Sequence, residues 1–430
     1  MLDPAAASLA TLMRHTSFAN FWCARVATTT AYQMLWVAIG WQIYDMTGNA
    51  LDLGLVGLMQ FLPVVAMSVV VGQTVDRYDR RVIARTCECV HALAAAALAI
   101  GSAMGWLTRE GIFGVVLVTS TARAFEMPSI IALLPGLVAP QLLPRAIAAS
   151  NTASQTAVIC GPALGGIIYG IGPATVYALC AATFLLATIL VSKLKMAPPP
   201  EARAPVTLAT MFAGFSYVSR APVLLGAISL DLFVVLLGGI TALLPIFARD
   251  ILDTGPWGLG LLRSAPAVGA LGMSAFLVCH SLDNGVGRKL FASTAMFGIA
   301  IVAFSLSASL AVSIAALVVY GAMDAVSVVV RQSLVQTRTP SDMLGRVIAV
   351  HALFTGTTGS LGQFRAGLFA AFIGVVPSAL IGGIGAIMVT VLWMWRFPEL
   401  RRIASLAHDV VPPSRPGEAA QTRELASEVE

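Results

Sequence analysis

Charge is what this chain has least of: 11% of its 430 residues are Asp, Glu, Lys or Arg, against 58% that are hydrophobic. A soluble domain carries about a quarter charged residues, so the composition excludes one and leaves an integral membrane protein. Strand-type alternation is missing as well. Leu, Ala, Val and Ile recur in runs of about twenty residues, the length of a membrane helix, which makes the fold class all-α and not a barrel. There is no glycine loop followed by Lys-Ser or Lys-Thr, and no soluble stretch long enough to carry one, so ATP is not the expected energy source. No catalytic constellation is present; the chain is expected to be no enzyme and to need no cofactor. A cleavable signal peptide is absent too, since residues 1–20 hold polar positions and no small-residue cleavage site follows a short apolar core.

Cysteine is sparse. Cys23, Cys87, Cys89, Cys160, Cys180 and Cys279 all lie inside or beside apolar runs and form no disulfide framework. Cys87-Glu88-Cys89-Val90-His91 has the composition of a soft-metal group, but helix neighbours diverge by about 100°, so only Cys87 and His91 share a face and no metal is assigned. The net charge of +5 sits mainly on loops, where it reports topology and implies no nucleic-acid partner.

What the chain does have is twelve apolar spans, at 21–43, 53–75, 82–106, 111–134, 146–169 and 173–192, then 222–248, 257–279, 289–309, 312–334, 347–372 and 375–396. Between the sixth and seventh lies Lys193-Leu194-Lys195 followed by Pro198-Pro199-Pro200, which cannot continue a helix. The expected divisions are a leader (1–20), a first six-helix bundle (21–192), a linker (193–220) with an amphipathic surface helix over 206–220, a second bundle (221–397) and a solvated tail (398–430). Arg77, Arg80, Arg81, Arg145, Lys193, Arg288, Arg346 and Arg396 fall at turns on one side, opposite little beyond Arg109 and Arg249. By the positive-inside rule both termini and the linker are expected in the cytoplasm.

The halves read as diverged copies. Thr47-Gly48 returns 207 positions on as Thr254-Gly255, and Asp76 as Asp283; Arg145-Ala146-Ile147-Ala148 returns 201 positions on as Arg346-Val347-Ile348-Ala349, and Gly161 as Gly362. One change of offset is what a six-helix duplication with a shortened loop leaves, and it places a binding site near the midplane between the bundles.

The charged turn between the second and third spans is Gly72-Gln73-Thr74-Val75-Asp76-Arg77-Tyr78-Asp79-Arg80-Arg81. It resembles the loop signature of the major facilitator superfamily: Gly, three residues, Asp, a basic residue, two residues, then two basic residues. Asp79 stands where that family usually has Gly. The resemblance implies a gating turn, with Gly72, Asp76, Arg77, Arg80 and Arg81 locking the first bundle at the cytoplasmic face. Gly161-Pro162-Ala163-Leu164-Gly165-Gly166 supplies small residues for close helix contact and a proline that permits a bend. It also matches the core of a motif of drug:proton antiporters in the same superfamily, although Ala148 and Ala157 replace its upstream glycines.

Ionisable residues inside spans carry the most information, because a charge near the bilayer centre costs about 2.5–3.5 kcal/mol on insertion scales. They are Arg25, Glu88, His91, Arg123, Glu126, Asp231, Arg263, Asp324, Arg331, His351 and Arg365. Arg123 and Glu126, three apart on one helix, can pair. Glu126 would bind and release a proton as Arg123 or substrate moves away; Asp231 and Asp324 are rival carriers, with Arg263 a partner for either. Arg25, Tyr32, Gln33, Trp36, Arg263, Arg331 and Arg365 are the candidates to line a substrate cavity.

Phe21-Trp22-Cys23-Ala24-Arg25, Gly40-Trp41-Gln42-Ile43-Tyr44-Asp45-Met46-Thr47-Gly48 and, in the second half, Gly260-Leu261-Leu262-Arg263-Ser264-Ala265-Pro266 are similar to the bacterial branch of the superfamily that includes the enterobactin exporter and macrolide efflux proteins. The resemblance covers most of residues 18–397. It implies the major facilitator fold, with a central cavity between the bundles, in the inner membrane. The function it implies is proton-coupled export of a small amphipathic compound, a siderophore-like metabolite or a drug, by alternating access. The partners expected are that small molecule, protons and membrane lipid, and the protein is expected to work as a monomer. Many members carry an acid near the position of Tyr32 and an Arg-Gln pair where this chain has Ile130-Ile131, a pair that survives as Arg331-Gln332 in the second half. Lysophospholipid or metal-ion transport by a related branch, and a transporter-like receptor, are the alternative functions.

Overall fold

A computed structural model describes residues 12–195, 215–280 and 285–404. Twelve long helices run through them: α1 Thr16–Thr47, α2 Ala50–Arg77, α3 Arg80–Met104, α4 Arg109–Leu133, α5 Leu143–Tyr169, α6 Pro173–Ser192, α7 Pro222–Gly238, α8 Pro256–Cys279, α9 Val286–Ser305, α10 Leu310–Arg338, α11 Ser341–Ile373 and α12 Val375–Arg396. No strand occurs among the described residues. The helix ends follow local chemistry. Asn49, Asp79 and Thr108 cap α2, α3 and α4 by accepting backbone N–H bonds with their side chains. Pro opens α6, α7 and α8, and Gly48 ends α1 in the left-handed region at φ 60°.

Nine of these segments are long and apolar enough to cross a membrane, among the described residues. The three that fall short are α1, α5 and α11. Each is diluted by polar or small residues, such as Gln33 and Gln42, Asn151 and Gln155, or Gln363 and Arg365. Helices that face a cavity or a partner helix need not be apolar all round.

Helix contacts give the topology. In the first half α1 packs on α5 and α6, α3 on α4 and α6, and α2 on α4. In the second half α7 packs on α11 and α12, α9 on α10 and α12, and α8 on α10. Adding six to each number turns the first set into the second. Across the halves the main contacts are α2 with α11 and α5 with α8, which the same operation exchanges. Gly161 and Gly362 show the equivalence at residue level: a Cβ on Gly161 would lie 2.7 Å from the Gln33 Cβ of α1, and one on Gly362 2.8 Å from the Val235 carbonyl of α7.

Both crossings between halves are backbone against backbone. A Cβ on Gly367 would fall 2.5 Å from the Gly54 Cα, and one on Gly260 2.5 Å from the Pro162 carbonyl oxygen. These four residues lie in the halves of their helices remote from the linker. Towards the linker, Gly72 of α2, Gly272 of α8 and Gly345 of α11 have nothing within 4 Å of where a Cβ would stand. The bundles therefore touch on the side away from the linker and splay apart on the linker side.

Two expectations change. The run 222–248 is not one helix: α7 stops at Gly238-Gly239, because the backbone of α11 at Gly362 fills the space a Cβ would take there, and the chain continues as a short 3-10 turn and a π turn over Phe247–Ile251. The segment after 397 is not a solvated tail from its start. Pro398–Arg402 forms a further short helix, α13, with Leu400 fully buried and Phe397 against Gly226 of α7. The apolar residues of that segment had a bundle face to cover. Most of the surface helix expected over 206–220 lies outside the described residues, as do the first eleven residues and those after 404.

Candidate functional site

The floor of the splay is a cavity of about 440 Å³ lined by both bundles. Gln33 and Trp36 reach it from α1, Gln60 from α2, Gln155 from α5, Arg263 from α8 and Asp324 from α10. Three amides, an indole and two opposite charges can hold a molecule that is apolar in part and polar at several points. A second cavity of about 200 Å³ lies within the first half, lined by Arg25, Thr28, Arg123, Glu126 and Ser154; Val158 lines both.

Behind the smaller cavity sits a buried proton-binding cluster. Glu126 is fully buried; one carboxylate oxygen is 3.1 Å from Arg123 Nη1 and the other 3.1 Å from His91 Nε2. Arg123 lies over the Tyr32 ring at 4.3 Å, and Tyr32 meets His91 edge-on at 5.4 Å. Glu88 and His91, three apart, share one face of α3 and are both fully buried. Glu88 accepts a hydrogen bond from the Thr28 hydroxyl, while its Oε2 and the His91 Nδ1 have no partner among the described residues. Arg25 Nε donates to Ser154 Oγ at 2.6 Å and so ties α1 to α5.

The second half has its own buried pair. Asp231 of α7 is 2.7 Å from Arg331 of α10, whose guanidinium also donates to Ser327 Oγ at 3.1 Å and to His351 Nε2 of α11 at 3.0 Å. The partner of Asp231 is thus Arg331 and not Arg263, because Arg331 faces α7 from inside the bundle while Arg263 faces the cavity. Asp324, Ser327 and Arg331 lie along one face of α10, and Asp324 makes no ion pair among the described residues. Arg365 lines neither cavity; it donates to the Leu237 carbonyl at 2.6 Å beside the break in α7. Arg331, likewise, is 1% exposed and serves its own bundle.

The charged turn contacts only the first half. Arg80 donates to the Ala132 carbonyl after α4 and Arg81 to the Leu194 carbonyl after α6, each at 3.3 Å. Asp79 caps α3 and pairs with Arg81 at 2.6 Å, and this hydrogen-bonded guanidinium holds the Asp79 carboxyl below the usual carboxylate range. Gly72 and Arg77 lie in the last turns of α2. The side chain of Asp76 lies outside the described residues. Gly161 and Gly165 of the glycine-proline motif pack on α1, at Gln33 and Met34, whereas Gly166 turns to α8 at Pro256 and Gly260.

At the far end of the molecule the halves are clamped by side chains as well. Tyr44 of α1 hydrogen-bonds Asp250, and Asp45 is 2.9 Å from Arg249 in the π turn after α7. Sequence reasoning did not find this clamp, nor the contact of His91 with Glu126. The one available signal was that Asp45 and Arg249 end repeat-related helices with opposite charge. Among the described residues, no group of three or more His, Cys, Asp or Glu is arranged to hold a metal.

Comparison with known proteins covers the whole fold. A family described as transmembrane secretion effectors matches residues 6–422. The enterobactin exporter EntS of Citrobacter koseri is 26% identical over 399 residues, spanning 92% of this chain and 95% of the relative. The nucleoside transporter NupG superposes with a TM-score of 0.72 at 13% identity, covering 88% of this chain and 99% of that one. A bacterial homologue of the human lysosomal transporter Spinster, inward-facing and occupied, gives 0.71 at 12% identity, over 91% and 98%.

Proposed function

We propose, from the premise that this chain belongs to the transmembrane secretion effector family of the major facilitator superfamily, that it exports a small amphipathic compound in exchange for protons. That it is a multi-pass membrane transporter and not an enzyme follows from the family; the proton, the direction and the compound are the reading offered here. The compound is a siderophore-like metabolite or a drug, a choice supported by the similarity to an enterobactin exporter and by the mixed lining of the cavity.

The observation that carries the proposal is the adjacency of the two cavities. Val158 borders both, so a molecule seated against Gln155 and Arg263 lies one side chain from the chamber of Glu126. While Arg123 and His91 hold Glu126, the site is closed to exchange; when substrate or a helix shift draws Arg123 away, the carboxylate takes up a proton. Entry of one proton down 100 mV supplies about 2.3 kcal/mol, enough for roughly a fiftyfold solute gradient. Asp324, in the main cavity without an ion partner, is the second proton carrier we assign.

With the linker on the cytoplasmic side, as its basic turns require, the splayed face opens to the cytoplasm and the Tyr44–Asp250 and Asp45–Arg249 clamp seals the outside. Export proceeds when the clamp and the glycine crossings part and the charged turn engages the second bundle. Glu126→Gln tests the coupling. The variant is expected to lose transport driven by a pH gradient while still exchanging labelled for unlabelled solute in liposomes. An unchanged pH response in that variant moves the coupling role to Asp324 and Asp231.

A further inference from the structure

We propose that the groove between the start of α9 and the strap α13 binds the headgroup of one anionic phospholipid. It lies on the linker side of the second bundle, away from both substrate cavities, and measures about 770 Å³, within the range of small-molecule sites.

Its rim is cationic and unspent. Arg288 of α9 and Arg401 and Arg402 of α13 line it, all three exposed, and none has a carboxylate within 4 Å among the described residues. The repeat sharpens the contrast. Arg288 stands 207 positions after Arg81, the offset that also relates Asp76 to Asp283. Arg81 is satisfied by Asp79 and the Leu194 carbonyl, whereas its counterpart points into an open groove. Guanidinium groups match phosphate oxygens in fork geometry, and basic pockets at membrane-helix ends suit lipid headgroups.

The rim is also rigid. The backbone N–H groups of Gly285 and Gly287 donate to the carbonyls of Ala404 and Ile403 at 2.7 and 3.1 Å, stitching the strap to α9. A Cβ on Gly287 would lie 1.9 Å from the Leu400 carbonyl oxygen, so only glycine lets the strap seat so closely. Arg401 and Arg402 are therefore held in place before any ligand arrives, which lowers the ordering cost of binding.

The wall identifies a lipid over a free anion. Phe291, Ala292, Ala295 and Met394 line the groove on the bilayer side, and Met296, Ile299 and Trp395 continue it as exposed apolar surface. Inorganic phosphate gains nothing from such a wall, whereas a phosphatidyl group lays its glycerol and acyl chains along it.

Native mass spectrometry of the purified full-length chain tests this, with phosphatidylglycerol, phosphatidylethanolamine of the same acyl chains, and inorganic phosphate as separate probes. One phosphatidylglycerol is expected to stay bound at collision energies that strip phosphatidylethanolamine. Its retention should fall at least tenfold in the Arg288→Gln/Arg401→Gln/Arg402→Gln variant. The charge-matched Lys193→Gln/Lys195→Gln/Arg220→Gln variant should retain it like the wild type. All six positions are on the surface, and monodisperse elution confirms that each variant is folded. Equal retention in the triple arginine variant overturns the proposal, as does equal retention of the two lipids. Displacement of bound phosphatidylglycerol by millimolar phosphate makes the groove a plain anion site and overturns the lipid assignment.

Discussion

Arg331 holds a full positive charge at 1% exposure, and it does so because Asp231, Ser327 and His351 surround its guanidinium. Removing one partner of such a pair strands the other charge, at a cost of about 3–5 kcal/mol, while replacing both by apolar groups is often neutral. Arg331→Met is therefore expected to lower the unfolding temperature in detergent sharply, and Asp231→Leu/Arg331→Met to recover most of the loss. A double variant no more stable than the single one would show that the pair has a role beyond mutual satisfaction. At the turn, Asp79→Ala removes the cap of α3 and should cost about 1 kcal/mol, whereas Asp79→Gly should cost only a few tenths. Because Arg81 depresses the Asp79 carboxyl, this contribution is present above the ordinary carboxylate range and is lost as pH falls through the lowered value; melting curves taken down into acid would show the Asp79→Ala difference closing. Residues of this kind were partly legible. The spacing of Arg123 and Glu126 announced their contact, but the pairing of Asp231 with Arg331, and of Glu126 with His91, depends on which helices become neighbours, and no local spacing encodes that.

At the scale of helices, α2 against α11 and α5 against α8 are the joints on which the two halves turn. Each is made by glycine meeting backbone, so a β-branched residue there cannot be absorbed by a rotamer change. Gly367→Val is expected to push α2 and α11 apart on the side remote from the linker and to disfavour the observed state by roughly 1–3 kcal/mol, about 5- to 150-fold in population. Cysteine cross-linking across those helix ends would read the change; undiminished cross-linking would mean that the joint tolerates the side chain. The helices themselves were readable because twenty-residue apolar runs have few alternatives in a bilayer. The break of α7 was not. Gly238-Gly239 inside an apolar run looks like a packing position, and only the approach of α11 makes it an end. The docked strap after Phe397 escaped for a related reason: its charges are conspicuous in the sequence, while its two anchoring residues, Leu400 and Ile403, are few.

The whole molecule is a pair of six-helix bundles related by the operation that the sequence offsets of 207 and 201 already contained. What the offsets could not give is the state, since a duplicated sequence is equally compatible with either face being open. The observed state is closed at the Tyr44–Asp250 and Asp45–Arg249 clamp. Its second pair is half exposed, so it contributes about 0.2–1 kcal/mol and biases the populations up to roughly fivefold. Spin labels at the far ends of α1 and α7 should therefore report a modest gain of the longer distance in Arg249→Gln, and its reversal in Asp45→Arg/Arg249→Asp. No change in either variant would make the clamp incidental to closure.

The central claim is exchange of a small amphipathic compound for protons, and proton flux into liposomes holding the purified protein and a trapped pH-sensitive dye tests it most directly. Siderophores, lipophilic cations and macrolides are added in turn. The account predicts a proton movement that depends on at least one of these compounds and disappears in Glu126→Gln. Transport of a compound with no accompanying proton movement would contradict it.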